Sequence, residues 1–84
     1  MNNIENLQEI PDERSHEINL EFIRRIVLIY KEDPRMFDQE YYKEQAKEVI
    51  GIINKMPESH HNTLSELDKG AINYANKEMR PKFS

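Results

Sequence analysis

Apolar side chains recur at helical spacing in three separate stretches of this chain, and a start or stop signal bounds each stretch. Such stretches are typical of amphipathic helices, because a period of 3.6 residues brings positions three and four apart onto one face. Strands are not indicated, since the alternating pattern of a half-buried strand is rare here. The sequence therefore predicts an all-α fold, a small three-helix bundle with helices at about residues 16–31, 39–56 and 63–79.

Capping residues and prolines predict where these helices begin and end. Ser15 is a candidate N-cap for the first helix and Asp38 for the second, because their side-chain oxygens can accept from the free amides of a first turn. The four residues from Thr63 to Glu66 match a capping box, so we expect the third helix to begin at Thr63. Pro81 is expected to end that helix.

The acidity of the chain belongs to its N-terminal part. The net charge is −4, and the first 17 residues hold five acidic residues against one arginine, which accounts for all of it. We expect an acidic N-terminal arm at about residues 1–15, short and either helical or flexible, then a helical domain at about 16–80 and a C-terminal tail at about 81–84. A neutral body lacks the basic face with which nucleic-acid-binding proteins neutralise phosphates, so DNA and RNA are disfavoured as partners.

The sequence lacks the residue patterns of common catalytic, cofactor and metal sites. There is no cysteine. His60 and His61 are adjacent and so point in different directions, while His16 is far away in sequence, which leaves no familiar metal-ligand spacing. No glycine-rich phosphate loop, nucleophile elbow or cofactor fingerprint occurs. We therefore expect no enzymatic activity, no metal and no cofactor.

Two negative features of the sequence bear on where the protein resides. The longest unbroken apolar run, from Ile26 to Tyr30, is far shorter than the ~20 residues that a membrane-spanning helix requires. The first residues lack the basic and apolar regions of a secretory signal. We expect a cytoplasmic protein that does not enter a membrane.

The first predicted helix carries more apolar surface than one neighbouring helix can cover. Its apolar arc spans about 200°, and Leu20 and Leu28 extend it beyond the face that a bundle buries. Surplus apolar surface of this kind marks contacts with other proteins. Tyr41, at the margin of the second helix, and Arg24 and Arg25, in a local cluster of positive charge, are further candidate partner contacts.

These observations favour a small helical protein-binding module that regulates or inhibits a partner protein by direct contact. A homodimer is one way to cover the surplus surface, and Leu28→Glu should weaken it. Two alternatives stay open. One is a nucleic-acid-binding regulator, which would act as a dimer that gathers Arg24, Arg25, Lys31 and Arg35 onto one surface. The other is a structural subunit of a larger assembly.

Overall fold

The computed structural model describes the backbone of residues 11–83 and the side chains of residues 14–83. Every regular element in that part of the chain is helical and none is a strand, which confirms the predicted all-α fold. Its α-helices are α1 (Pro11–Glu32), α2 (Glu40–Lys55), α3 (Glu58–His61), α4 (Glu66–Tyr74) and α5 (Arg80–Phe83). A 3₁₀ turn at Pro34–Asp38 lies between α1 and α2, and a π-helical turn at Ala75–Met79 joins α4 to α5. The first ten residues of the predicted acidic arm lie outside the described residues.

The start of α1 differs from the prediction. The helix begins at Pro11 rather than near residue 16. Proline suits a first helical turn, because its missing N–H has no intrahelical partner there and its fixed φ is already helical. Ser15 consequently lies inside α1 and does not cap it. Arg14 and Ser15 are exposed, so the helix continues through this polar stretch without burying it.

The start of α2 also differs from the prediction. Asp33 and Pro34 open a 3₁₀ turn, in which Asp33 Oδ1 accepts from the Arg35 amide at 3.3 Å. The turn buries Phe37 and continues through Asp38. Asp38 is therefore the last residue of the turn rather than the N-cap of α2. Gln39 occupies the cap position and forms no side-chain capping hydrogen bond.

The capping motif of α4 is shifted from the predicted position. The helix begins at Glu66, and its N-cap is Ser65, whose Oγ accepts from the Asp68 amide at 3.2 Å. The expected cap, Thr63, instead donates its hydroxyl to the His60 carbonyl at 3.2 Å. Serine followed three residues later by an acid repeats the capping-box spacing, so the sequence offered two overlapping starts and the helix uses the second.

Contrary to the prediction, Pro81 does not end the last helix. Residues 81–83 of the expected tail are helical. A proline inside a helix removes one hydrogen bond and crowds the carbonyl four residues before it. The chain widens into a π turn just before Pro81, where the Arg80 amide donates to the Ala75 carbonyl five residues back. Such turns let a helix continue past an interruption in its hydrogen-bond ladder.

One hydrophobic core joins α1, α2, α4 and the π turn. Its least accessible large side chains are Ile23, Phe37, Val49 and Met79. At one end of the core lies an aromatic cluster of Tyr30, Phe37, Tyr42, Tyr74 and Phe83. The ring of Phe83 lies 5.9 Å from that of Tyr30, so α5 closes this end of the core.

Candidate protein-binding surface

A groove between α1 and α4 leaves two leucines open to solvent. Leu28 on α1 is 58% exposed and Leu67 on α4 is 70% exposed. The groove has a volume of about 430 Å³. Small residues keep it open, since Ala71 is short and a Cβ added at Gly70 would meet no atom within 4 Å. We call this feature the α1–α4 groove; its lining residues are Arg24, Val27, Leu28, Lys31, Glu66, Leu67, Gly70 and Ala71.

A charged network fixes α1 against α4 at one end of this groove. The Asp68 side chain is 10% exposed, and its carboxylate accepts from Arg24 Nη1 on α1. It also accepts from Ser65 Oγ at 3.0 Å, while its own amide donates to the same hydroxyl oxygen. Hydrogen bonds between ionised groups are among the stronger ones, and this ion pair joins residues 44 positions apart. The network therefore holds the two walls of the groove in a fixed relation.

The remaining charges give the two walls opposite signs. On the α1 wall, Lys31 Nζ lies 4.9 Å from the centre of the Tyr74 ring, and no carboxylate in residues 14–83 pairs with it. On the α4 wall, the Glu66 side chain is 95% exposed, with Lys69 Nζ 3.7 Å from its carboxylate. Burial, together with nearby Glu78, raises the pKa of Tyr74, so its ring stays neutral beneath the lysine at pH 7. The groove is thus apolar at its centre, cationic on one wall and anionic on the other.

A second cavity of about 390 Å³ adjoins the groove along α1. The two share Arg24, and the second extends towards the N-terminal half of the helix. It is lined mainly by charged side chains, among them Arg14, Glu17 and Glu21. Ile18, which is 58% exposed, also borders it although its position on the apolar arc predicted burial. The exposed apolar surface of α1 is therefore not restricted to Leu28.

The five predicted contact residues do not gather on one surface. Leu28 lines the α1–α4 groove, and Arg24 borders it while bound to Asp68. Leu20 is 8% exposed and belongs to the core, so it adds nothing to the exposed face. Arg25 is exposed outside the groove lining, and Tyr41 is 65% exposed on α2. A partner contact at any of these residues stays a prediction.

Sequence reasoning missed Leu67 and Asp68 as surface and network residues. Helical spacing from Leu64 predicts that Leu67 lies on the apolar face of the last helix, but the observed buried face is narrower and leaves Leu67 exposed at its edge. Asp68 gave a usable signal. It lies four residues from both Leu64 and Ile72, which places a carboxylate in the middle of an apolar stripe. A buried acid needs a partner, although the sequence did not reveal that this partner is Arg24.

The fold brings together two histidines that are distant in sequence, His16 on α1 and His60 on α3. The rings of His16 and His60 lie 4.2 Å apart and are tilted by 40°. Burial, and then the proximity of His60, lowers the pKa of His16, while Asp68 and Glu17 act in the opposite direction. Across the residues with described side chains, no three His, Asp or Glu groups are arranged to hold a metal ion.

Comparison with known proteins gives no family for this chain. No protein-family model, curated protein or solved structure matches it. Of the helices within residues 11–83, none combines the length and the hydrophobicity needed to cross a bilayer. Function is therefore inferred from the groove itself.

Proposed function

We propose that this protein is a binding module that regulates or inhibits another protein by direct contact through the α1–α4 groove. The observation that supports the proposal is the exposure of Leu28 and Leu67 on either side of one groove. Covering a large aliphatic side chain fully is worth about 1.5–3 kcal/mol, so a partner that buries both leucines gains substantial binding free energy. Apolar grooves between helices suit an amphipathic helix from a partner.

The charged walls give such a partner a preferred orientation. Lys31 attracts an acidic group on one side, and Glu66 attracts a basic group on the other. Complementary charges at the rim of an interface affect specificity and association rate more than affinity. The Arg24–Asp68 network supports this role because it keeps the walls in place before the partner arrives.

The nucleic-acid alternative draws less support from the structure. The proposed basic surface needs Arg24, Arg25, Lys31 and Arg35. Arg25 is exposed outside the groove lining, whereas Arg24 is bound to Asp68 and Arg35 Nε lies 3.9 Å from the Asp33 carboxylate. Those charges are partly neutralised within the chain, which reduces the counterion release that drives phosphate binding. A structural subunit would use the same groove, and its partner would co-purify in equal amounts.

Affinity capture with matched variants tests the proposal. The wild-type chain, Leu28→Glu, Leu67→Glu and the control Asn73→Glu are each used to capture proteins from an extract of the source cells. Asn73 is exposed on α4 outside the groove lining, so its variant adds a carboxylate to the same helix. Quantitative mass spectrometry should find a protein retained by wild type and control but lost with both leucine variants. Equal capture by all four chains would remove the groove from the function, and circular dichroism checks that each variant is folded.

A further inference from the structure

We propose that a second copy of this chain covers the α1–α4 groove, in a two-fold dimer where Lys31 of each protomer faces the partner's Glu66. The inference rests on the proposed function of the groove as a binding surface, and it names one occupant of that surface. Partner binding and self-association then compete for the same leucines. The concentration of free protomer would set how much of the protein can act on another protein.

The direction of the two helices makes the groove complementary to itself. Arg24 contacts Asp68, and further along both helices Lys31 contacts Tyr74, so α1 and α4 run side by side in the same direction. Glu66 begins α4, whereas Lys31 is next to the last residue of α1. The lysine and the glutamate therefore lie at diagonally opposite ends of the groove.

A two-fold axis through the centre of the groove exchanges these diagonal ends. In an isologous interface each patch meets the same patch of the other copy. When the axis lies in the plane of the interface and is perpendicular to the Lys31–Glu66 diagonal, a residue at one end of that diagonal meets the residue at its other end. The axis would bring Lys31 to the partner's Glu66 twice per dimer. It would also bring Leu28 to the partner's Leu67, because these leucines lie between the charged ends on opposite walls. The apolar centre and the charged rim are thus satisfied by one arrangement.

The charge of the helical body also suits self-association. From residue 18 to the C-terminus the chain holds eleven acidic and eleven basic residues, so this part carries no net charge. All the residues that line the groove belong to this neutral part, whereas the charge of −4 lies in residues 1–17. Arg24 is bound to the buried Asp68, which leaves Lys31 as the cation of the α1 wall that a partner can pair. Glu66 lies 3.7 Å from Lys69 Nζ, but its side chain is 95% exposed and so can also contact the partner's lysine.

Charge reversal in the full-length chain tests this arrangement by analytical ultracentrifugation. Lys31→Glu and Glu66→Lys should each raise the dimer dissociation constant at least about tenfold, which equals about 1.4 kcal/mol. An equimolar mixture of these two single variants should recover the wild-type affinity, because opposite charges then meet at both contacts of the mixed dimer. The double variant should recover it as a homodimer for the same reason. Leu67→Glu should abolish the dimer, and Asn73→Glu should leave it unchanged.

The outcomes separate this inference from the proposed function. A wild type that stays monomeric up to about 1 mM, or single variants whose mixture does not recover, overturns the second copy as occupant. If groove-dependent capture of another protein persists in that case, the proposed function stands without the dimer. A dimer that follows the charge exchange, with no captured protein, supports the second copy and removes the regulatory function. Thermal melting of each variant excludes loss of fold as the cause.

Discussion

Asp68 takes part in three hydrogen bonds at the start of α4. Its amide is capped by Ser65, its carboxylate receives the same hydroxyl, and it pairs with Arg24 from another helix. The Asp68 side chain is only 10% exposed, so its carboxylate would be costly without these partners, because burying an unpaired charge is strongly unfavourable. Asp68 therefore links the capped start of α4 to α1.

The shifted cap of α4 gives a direct test at this scale. Ser65→Ala removes the acceptor for the Asp68 amide and should lower the free energy of unfolding by about 1 kcal/mol. Thr63→Ala should cost less than about 0.5 kcal/mol, because the exposed hydroxyl bond to His60 lies outside α4. Urea denaturation of both variants measures the difference. A larger loss for Thr63→Ala would return the helix start to the position that the sequence first indicated.

The paired histidines predict a pH dependence of stability. The pKa of His16 is lowered from 6.5, chiefly by burial and then by His60, with a small contribution from His61 and opposing ones from Asp68 and Glu17. A histidine whose pKa is lower in the folded state binds more protons when unfolded. Its contribution is therefore fully present above pH 6.5 and is lost as the pH falls through the lower folded value.

The corresponding experiment compares wild type with His16→Gln. The free energy of unfolding, measured by urea titration between pH 7.5 and about pH 5, should fall less steeply with decreasing pH in the variant. His61→Gln is the matched control and should keep most of the dependence, because His61 contributes least to the shift. Identical slopes for wild type and His16→Gln would show that the contact between His16 and His60 does not govern acid stability.

At the scale of the helices, α2 contains an interior glycine that lowers its stability. Gly51 lies in the interior of α2, where glycine costs about 0.5–1 kcal/mol relative to alanine. A Cβ added there would meet no atom within 4 Å, so Gly51→Ala should raise the free energy of unfolding by about that amount. Ala46→Gly, the reverse change at a fully buried site on the same helix, should lower it by more. Chemical denaturation checks both directions, and a destabilised Gly51→Ala would contradict the open space around Gly51.

The helices could be predicted from sequence because their signals are local. The errors arise where contacts with distant residues determine where a helix begins or ends, or which side chains are exposed. Periodicity identified α1, α2 and α4, since each helix buries one face against the same core. Local spacing allows α4 to start after Thr63 or after Ser65, and the contact of Asp68 with Arg24, which favours the second start, is not visible in any local pattern. The helical end at Phe83 depends on aromatic neighbours in α1 and the 3₁₀ turn. The exposure of Leu67 likewise depends on how much of α4 the neighbouring helices cover.

At the scale of the whole molecule, the open groove links stability to concentration. Leu28 is 58% exposed, so Leu28→Glu should change the stability of an isolated protomer by less than about 0.5 kcal/mol. If copies associate through the groove, the thermal midpoint of the wild type should rise with protein concentration, because the dimer is favoured over the unfolded chain. The variant should show a midpoint that does not depend on concentration. Parallel behaviour of the two proteins in calorimetry over a range of concentrations would exclude Leu28 from the association.

The π turn at Ala75–Met79 changes the direction in which the residues after it face around the helix axis. In an uninterrupted α-helix, two residues eight apart drift by about 80° around the axis. The wider turn takes up part of that drift, so Ala75, Met79 and Phe83 can all face the same core. A helical wheel drawn with a constant angle of 100° per residue therefore misplaces the residues after the π turn. Inserting or deleting one residue between Tyr74 and Pro81 would therefore rotate Phe83 away from the core, even if every residue kept its helical propensity.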